Sequence, residues 1–383
     1  MATRDDDAVR LGLNLVYLVP GETGGMETYA RELIPALLAE RPGLHLTAFV
    51  SRAAYEAGGP WSELAEPVLV PVDARRRTEW VRGEQQLLPP LAARAGVDVL
   101  HSLGSTAPAW GRSRRVTTIH DLIYRIYPEA HSGLRARGMA LLVPLAARRS
   151  HRVIAPSART RDDLVHLLGV PPTKIDVVPE GVGLPPAEAT AEPELRSSLG
   201  LGDRTVVLTT SAKRPHKNLA RLLDAWSLLP AEDRPVLALP GYPTPHEDEL
   251  RRRAAELGIE ADTRFLGWIA TPDLEGLYRL ASCFAFPSLY EGFGLPVLEA
   301  MARGLPVACS DRGSLPEVAG DAARFFDPES PRSIAAAVDE IVRNPAAAGR
   351  LRAAGLARAR RFTWRETARA TLGTYERALV SNA

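Results

Sequence analysis

Lysine is nearly missing from this chain: of 47 lysine and arginine residues only Lys174, Lys213 and Lys217 are lysines. Cysteine is almost as scarce. Cys283 and Cys309, the two present, fall inside the apolar runs SCFAFPS and PVACS, which read as buried strands where a reduced thiol behaves as a small hydrophobe, so no disulfide framework is expected. No apolar run approaches the roughly 18 residues that suggest a membrane span. The N-terminus MATRDDDAVR is acidic and polar, where a signal peptide would be basic and then apolar; the cytoplasm is the expected compartment. A net charge of +1 without long like-charge blocks gives none of the field of a nucleic-acid binder and points to small-molecule partners. No short repeat of fixed period suggests a solenoid.

What is present is length and alternation. The 383 residues exceed the size at which one core keeps growing, which makes two domains of roughly 150–200 residues the natural division. LGLNLVYLV (11–19) reads as a strand, followed by a Gly-rich loop and an amphipathic helix from about Met26 to Ala39. Further apolar runs at 44–50, 97–102, 115–121, 151–157 and 175–181 alternate with helical segments. From about Gly183 to Arg196 the chain, rich in Pro, Ala and Glu, reads as an interdomain linker. Strands then recur at 205–211, 235–241 and 263–268, in SCFAFPS and in PVACS, with helices at 218–229, 246–257, 272–281, 295–303 and 331–343. This pattern predicts an α/β protein of two Rossmann-like doubly wound domains, 1–182 and 183–362, facing each other across a cleft. A last helix, 363–383, opens on Thr363-Trp-Arg-Glu366, a capping-box pattern, and is expected to pack back on the N-terminal domain.

Open parallel sheets bind ligands beyond the carboxyl ends of their strands, and three loops there carry candidate chemistry. In GETGGMETY (21–29), Gly24 and Gly25 let backbone approach a diphosphate, next to helix-terminal amides; a tight turn explains the same residues equally well. SAKRPHKN (211–218) holds two of the three lysines. Lys217 is the preferred phosphate ligand and Arg214 or Lys213 the second cation, against a solvated basic loop. The third loop, LYEGFGLPVLEAMARG (289–304), sets Glu291 after a strand, then Gly292, Gly294 and Leu295-Pro296 opening a helix, with Glu299 about one turn inside it. Glu299 is placed to accept from a ribose diol and Glu291 to face a sugar.

At these residues the chain resembles glycosyltransferase family 4. Similar segments run through nearly the whole chain: GGMETYARELIPAL (24–37), TIHD (118–121), IAPSARTRDDL (154–164), VVPEGV (177–182), PHKN (215–218), FLGW (265–268) and GSLPEVAGDAARFFDP (313–328). The resemblance implies a GT-B fold, an acceptor-binding N-terminal domain, a C-terminal domain holding a nucleotide-sugar donor, and transfer with retention. It also implies that Glu299 binds ribose, Glu291 the donor hexose and Lys217 the diphosphate. Phe293, Gly294 and Leu295 would hold sugar and phosphate through backbone groups. His120 matches the family histidine that reaches the donor sugar, Gly25 the glycine near the diphosphate, and Trp268 the segment that meets the nucleobase.

Where many family members carry an arginine before the loop lysine, this chain has Thr210-Ser211-Ala212, which leaves the second cation open. With no D-x-D at a strand end, neither a metal nor another cofactor is expected, and Asp5 to Asp7 lie in the N-terminal tail. The expected chemistry is front-face hexosyl transfer in which the leaving phosphate takes the proton of a hydroxyl acceptor, whether glycan, lipid-linked or secondary metabolite. A nucleotide-sugar epimerase and a non-catalytic nucleotide-sugar-binding protein are the alternatives. Arginines 135, 137, 148, 149 and 152 are candidates for peripheral contact with an anionic membrane, against a solvated helix face.

Overall fold

In the computed structural model the described residues are 9–128, 134–183 and 188–380. The acidic stretch Asp5 to Asp7, residues 184–187 of the expected linker and the side chains of Arg135 and Arg137 lie outside them. Two compact units divide the chain. The first takes residues up to Ile126, those ending at Gly181, and the C-terminal segment from Thr363; the second takes Val182–Phe362 and a short stretch from Tyr127.

The first unit is built on a seven-stranded sheet of β1 (Arg10–Leu15), β2 (His45–Val50), β3 (Glu66–Leu69), β4 (Val99–Ser102), β5 (Arg114–Thr118), β6 (Arg152–Ala155) and β7 (Ile175–Val177). Their order is β3-β2-β1-β4-β5-β6-β7, and each neighbouring pair is parallel. Central strands of such a sheet are covered on both faces, which is why β1 reads as an apolar run with Leu11, Leu13 and Leu15 fully buried. The order reverses between β1 and β4. The helix Gly25–Glu40 returns the chain from β1 to β2 and packs against the C-terminal helix Trp364–Val380. That last helix buries Trp364, Ala368, Leu372 and Tyr375 in the same core.

The second unit holds a six-stranded sheet of β8 (Val206–Leu208), β9 (Val236–Pro240), β10 (Thr263–Gly267), β11 (Cys283–Phe286), β12 (Val307–Ser310) and β13 (Ala323–Phe326). The order is β10-β9-β8-β11-β12-β13, reversing between β8 and β11, and all pairs are parallel. Both cysteines are buried and unpaired, and burial pushes the Cys283 thiol up to about 12.

Three expectations are corrected. The linker is shorter than Gly183 to Arg196: Glu192–Ser198 is a helix with Pro193 in its first turn and Leu195 buried in the second unit, and the Thr190 N–H already donates to the Pro272 carbonyl at 3.0 Å. Only half of the capping box forms. Thr363 Oγ1 accepts from the Glu366 N–H at 3.2 Å, but the Glu366 carboxylate pairs with Arg369 at 2.8 Å instead of reaching back. The edge strands β3 and β13 lie outside the predicted elements; β3 is half exposed and carries Glu66 and Pro67, residues suited to an unpaired edge.

Candidate functional site

In a doubly wound sheet, ligands bind where strand order reverses, because the connections on either side diverge there and leave a crevice. Within the second unit that point lies beyond β8 and β11, whose following loops carry the two lysines and Glu291.

The loop after β8 ends in a single turn of 3₁₀ helix, Pro215–Lys217, followed by Asn218 at φ 59°. Asparagine tolerates this left-handed conformation, and its side-chain amide reaches the carbonyls of Pro287 at 3.0 Å and Pro328 at 2.8 Å. The His216 carbonyl in turn accepts from the Leu289 N–H at 2.9 Å and from Ser288 Oγ at 3.2 Å. The two loops are thus laced together, and Lys217 Nζ meets Glu291 Oε1 at 2.6 Å. Both side chains are largely withdrawn from water, at 16% and 10% exposure, so the pair is poorly screened. The Lys217 ammonium also lies 5.5 Å from the centre of the Phe286 ring.

Behind Glu291, the single hydroxyl hydrogen of Ser314 is shared between the Phe293 carbonyl, 2.5 Å from Oγ, and the Glu291 carbonyl, 3.0 Å away. Gly294 sits at φ 110°, and a Cβ there would lie 2.6 Å from Leu315 Cδ2, so only glycine fits this turn into the helix Leu295–Ala302. The N–H groups of Gly294 and Leu295 precede any intrahelical acceptor and carry the helix's partial positive charge. Phe293 itself is buried, edge-on to Phe362; only its backbone is placed to meet a ligand. One turn into the helix, Glu299 Oε2 accepts from Tyr278 at 3.3 Å. The Arg303 guanidinium lies over the Tyr278 ring at 4.6 Å and donates to the Glu299 carbonyl at 3.0 Å.

The second cation needs correction. Lys213 is fully buried, and its Nζ donates to the carbonyls of Leu239 at 2.7 Å, Gly241 at 3.1 Å and Ser211 at 3.3 Å. It fastens the loop after β8 to the end of β9, and burial pulls its ammonium down to about 8. Lys213→Met is expected to lower unfolding free energy by about 2 kcal/mol, because buried carbonyls lose their donor. Between the folded value near 8 and the higher value of an unfolded lysine, the unfolded chain binds the extra proton, so stability rises with pH across that window. Denaturant titrations at both ends of the window should find that slope in the parent and lose it in the variant. Arg214 is half-buried on the same loop. Trp268, just past β10, is 67% exposed and stacks on Tyr242 at 4.5 Å.

In the first unit the reversal lies beyond β1 and β4. Gly24 has φ 62°, and a Cβ on it or on Gly25 would meet open space; the left-handed turn demands glycine at 24, and no neighbour demands it at 25. At this helix start Glu27 already accepts from the Gly21 N–H at 2.7 Å and pairs with Arg31 at 2.8 Å. His120 follows β5 and does not offer a free nitrogen. Nδ1 lies 3.0 Å from Glu180 Oε1 and Nε2 2.8 Å from the Leu103 carbonyl. Burial pulls its pKa down, but the Glu180 carboxylate and the Leu103 carbonyl outweigh that, and the net shift is upward. Of the candidate membrane-facing arginines, Arg152 is held by Asp176 at 2.6 and 2.9 Å and is not a free surface cation. No helix among the described residues is long and apolar enough to cross a membrane.

Reading the sequence missed the residues that hold others in place: Asn218, Ser288, Ser314, Tyr278 and Glu180. Asn218, Ser314 and Glu180 stand inside the segments PHKN, GSLPEV and VVPEGV, so the signal was their position in those motifs.

Two parallel α/β units thus each reverse strand order once, and a lysine, two glutamates and a glycine-opened helix stand at the reversal point of the second. A family model described as "Glycosyltransferase Family 4" matches residues 23–184, and one described as "Glycosyl transferases group 1" matches 191–358. The O-antigen chain mannosyltransferase B of Escherichia coli is 34% identical over 269 residues, 69% of this chain and 70% of that protein. A D-inositol 3-phosphate glycosyltransferase of Nocardioides sp. is 29% identical across 94% of this chain and 86% of its own length. Among solved structures, a sucrose-phosphate synthase from Thermosynechococcus elongatus matches with a TM-score of 0.77 at 21% identity, covering 96% of this chain and 98% of that one. The chain belongs to glycosyltransferase family 4, whose members act on nucleotide sugars.

Proposed function

We propose that the protein transfers a hexose, with retention of anomeric configuration, from a nucleoside diphosphate sugar to a hydroxyl of a glycan, lipid-linked or secondary-metabolite acceptor, and that it needs no metal. The observation that carries this reading is the 2.6 Å pair of Lys217 and Glu291 at the reversal point of the second sheet. A diphosphate laid on the amides of Gly294 and Leu295 would have the Lys217 ammonium beside its leaving oxygen, where negative charge grows in the transition state. Glu291, ion-paired and three residues before Gly294, is suited to accept from sugar hydroxyls, and Glu299 from the ribose diol. Trp268 offers an exposed aromatic face for the base.

The acceptor hydroxyl then approaches on the face from which the phosphate departs and gives up its proton to that phosphate, so no side-chain nucleophile is required. Neutralisation by Lys217 and by helix-terminal amides takes the place of a metal. The relatives' names specify mannosyl transfer and transfer to an inositol phosphate, which puts nucleoside diphosphate mannose first among donors. Nucleotide sugars are cytoplasmic metabolites, and two buried unpaired thiols are at home there. Contact with an anionic membrane would fall to Arg148 and Arg149 at the end of the helix Leu134–Arg149.

Proton NMR of the transfer reaction, run over a panel of donors with and without a chelator, tests this reading. The expected product keeps the donor's anomeric configuration, and chelation leaves the rate unchanged. An inverted anomer, a new nucleotide sugar formed without acceptor, or abolition of turnover by the chelator would overturn it.

A further inference from the structure

Two side chains of the second unit bracket Glu299. From the helix Thr271–Leu280, the Tyr278 hydroxyl lies 3.3 Å from Glu299 Oε2 and 3.4 Å from Thr210 Oγ1. A carboxylate only accepts, so the single hydroxyl hydrogen of Tyr278 points to Glu299 and Thr210 donates to the Tyr278 oxygen. Tyr278 is buried, and burial raises its pKa, so it stays a donor.

Arg303 closes the other side. Its Nη1 donates to the Glu299 carbonyl at 3.0 Å, its Nε donates to Glu275 Oε2 at 2.7 Å, and its guanidinium covers the Tyr278 ring at 4.6 Å. Glu275, on the same helix as Tyr278, is buried and also accepts from Arg279 at 3.2 Å. The opposite contact is with Phe284 of β11, whose ring stacks with that of Tyr278 at 6.1 Å. The tyrosine therefore cannot swing away, and its hydroxyl has one direction in which to donate. A carboxylate accepts at about four sites, so a donor fixed on one of them sets where the others face. The half-buried Glu299 carboxylate is thus oriented before any ligand arrives, and a preoriented acceptor left without its hydroxyl is what penalises a ligand that lacks one. Glu299 stands four residues beyond Leu295, about 6 Å along the helix axis, which is the scale of the step from a phosphate on the Gly294 and Leu295 amides to the hydroxyls of the ribose attached to it.

We propose that Tyr278 and Arg303 are positioning residues that hold the Glu299 carboxylate against both hydroxyls of the donor's ribose, so that the protein takes ribonucleoside diphosphate sugars and rejects their 2′-deoxy counterparts. The bracket is a feature of the second unit alone; its meaning for the donor rests on the transferase reading.

The test is calorimetric titration of the full chain with GDP, UDP, ADP, CDP and dTDP, and then with the 2′-deoxy form of the ribonucleotide that binds most tightly. The parent should bind that ribonucleotide at least about tenfold more tightly than its 2′-deoxy form, the usual effect of one hydrogen bond to a charged group. Tyr278→Phe keeps the ring under Arg303 and removes only the hydroxyl; it should narrow the ratio to within about threefold, chiefly by weakening the ribonucleotide. Arg303→Lys, which opens the clamp and leaves the tyrosine in place, should narrow the ratio as well, and it decides the matter if the phenylalanine variant does not fold. A merely structural bracket would weaken both nucleotides alike, so a ratio unchanged in the folded variants overturns the positioning role. A parent that binds the 2′-deoxy form as tightly, or that takes dTDP alone, overturns the selectivity and leaves the transferase reading intact. A parent that binds none of these nucleotides overturns both.

Discussion

Lys217→Met is expected to lower turnover by about 10²–10³-fold, the usual cost of losing one preorganised group aimed at developing charge. The size follows from where the ammonium sits. At 16% exposure beside a carboxylate that is 10% exposed, it acts where solvent screens weakly, so its attraction for a departing phosphate exceeds that of a surface lysine. The effect should fall on kcat more than on donor KM, since the charge it meets grows on the way to the transition state. Lys217→Arg should recover little. The side chain rises from a single tight turn onto Glu291, within 5.5 Å of the Phe286 ring, and a planar guanidinium cannot take the place of a compact ammonium there. Because Lys217 and Glu291 act as a pair, Lys217→Met combined with Glu291→Gln should cost far less than the two single losses multiplied. Steady-state kinetics on the three variants, with denaturant midpoints to confirm folding, checks this. Turnover of Lys217→Met within about tenfold of the parent would mean that the lysine is not at the reacting phosphate.

The sequence singled out Lys217 for the phosphate but could not remove Lys213 as a candidate second cation. Lys213 and Lys217 stand in one eight-residue segment with the same chemistry, and what separates them lies far along the chain. Lys213 is claimed by the carbonyls of Leu239 and Gly241 at the end of β9, whereas Lys217 is turned to Glu291 by Ser288, Asn218 and the carbonyls that they grip. The same distance hid Glu180, 60 residues after the histidine whose Nδ1 it meets at 3.0 Å. Side chains whose role is to hold another residue leave no local pattern; they show only as members of a family motif.

The fold was more legible than the site's second layer, because central parallel strands are buried on both faces and announce themselves as apolar runs. The elements that escaped lack that signal. β13, ARFF, is only half buried at an edge. The helix Pro345–Ala359 is mostly alanine, glycine and arginine, and it presents too weak an apolar stripe to be read as periodic. The helix Glu192–Ser198 begins with Glu-Pro-Glu, which looks like linker composition yet suits a first helical turn, where proline needs no partner and acids meet the positive end of the dipole.

Gly181→Ala is expected to destabilise the first unit by about 3 kcal/mol or more, more than ordinary overpacking, because the added methyl would strike backbone instead of a yielding side chain. A Cβ on Gly181 would lie 2.6 Å from the Thr363 carbonyl carbon and 2.7 Å from Trp364 Cα, with the Trp364 nitrogen also in its way. At this point the chain leaves the first unit and later returns to it, one strand of backbone lying directly on the other, so relief requires the start of the helix Trp364–Val380 to move. That helix cannot move cheaply. It is pinned by Thr367 Oγ1 to the Pro179 carbonyl at 2.8 Å and by Tyr375 to His101 at 2.8 Å, and its apolar face fills the core against β4, β5 and β6. Gly373→Ala, on the same helix, is the control: its Cβ would meet only the flexible end of Arg377, at 3.4 Å, so replacing a mid-helix glycine there should stabilise by about 0.5–1 kcal/mol. Urea denaturation of the two variants, followed by tryptophan fluorescence, should move the midpoint in opposite directions. A Gly181→Ala protein as stable as the parent would show that the crossing strands have room to part.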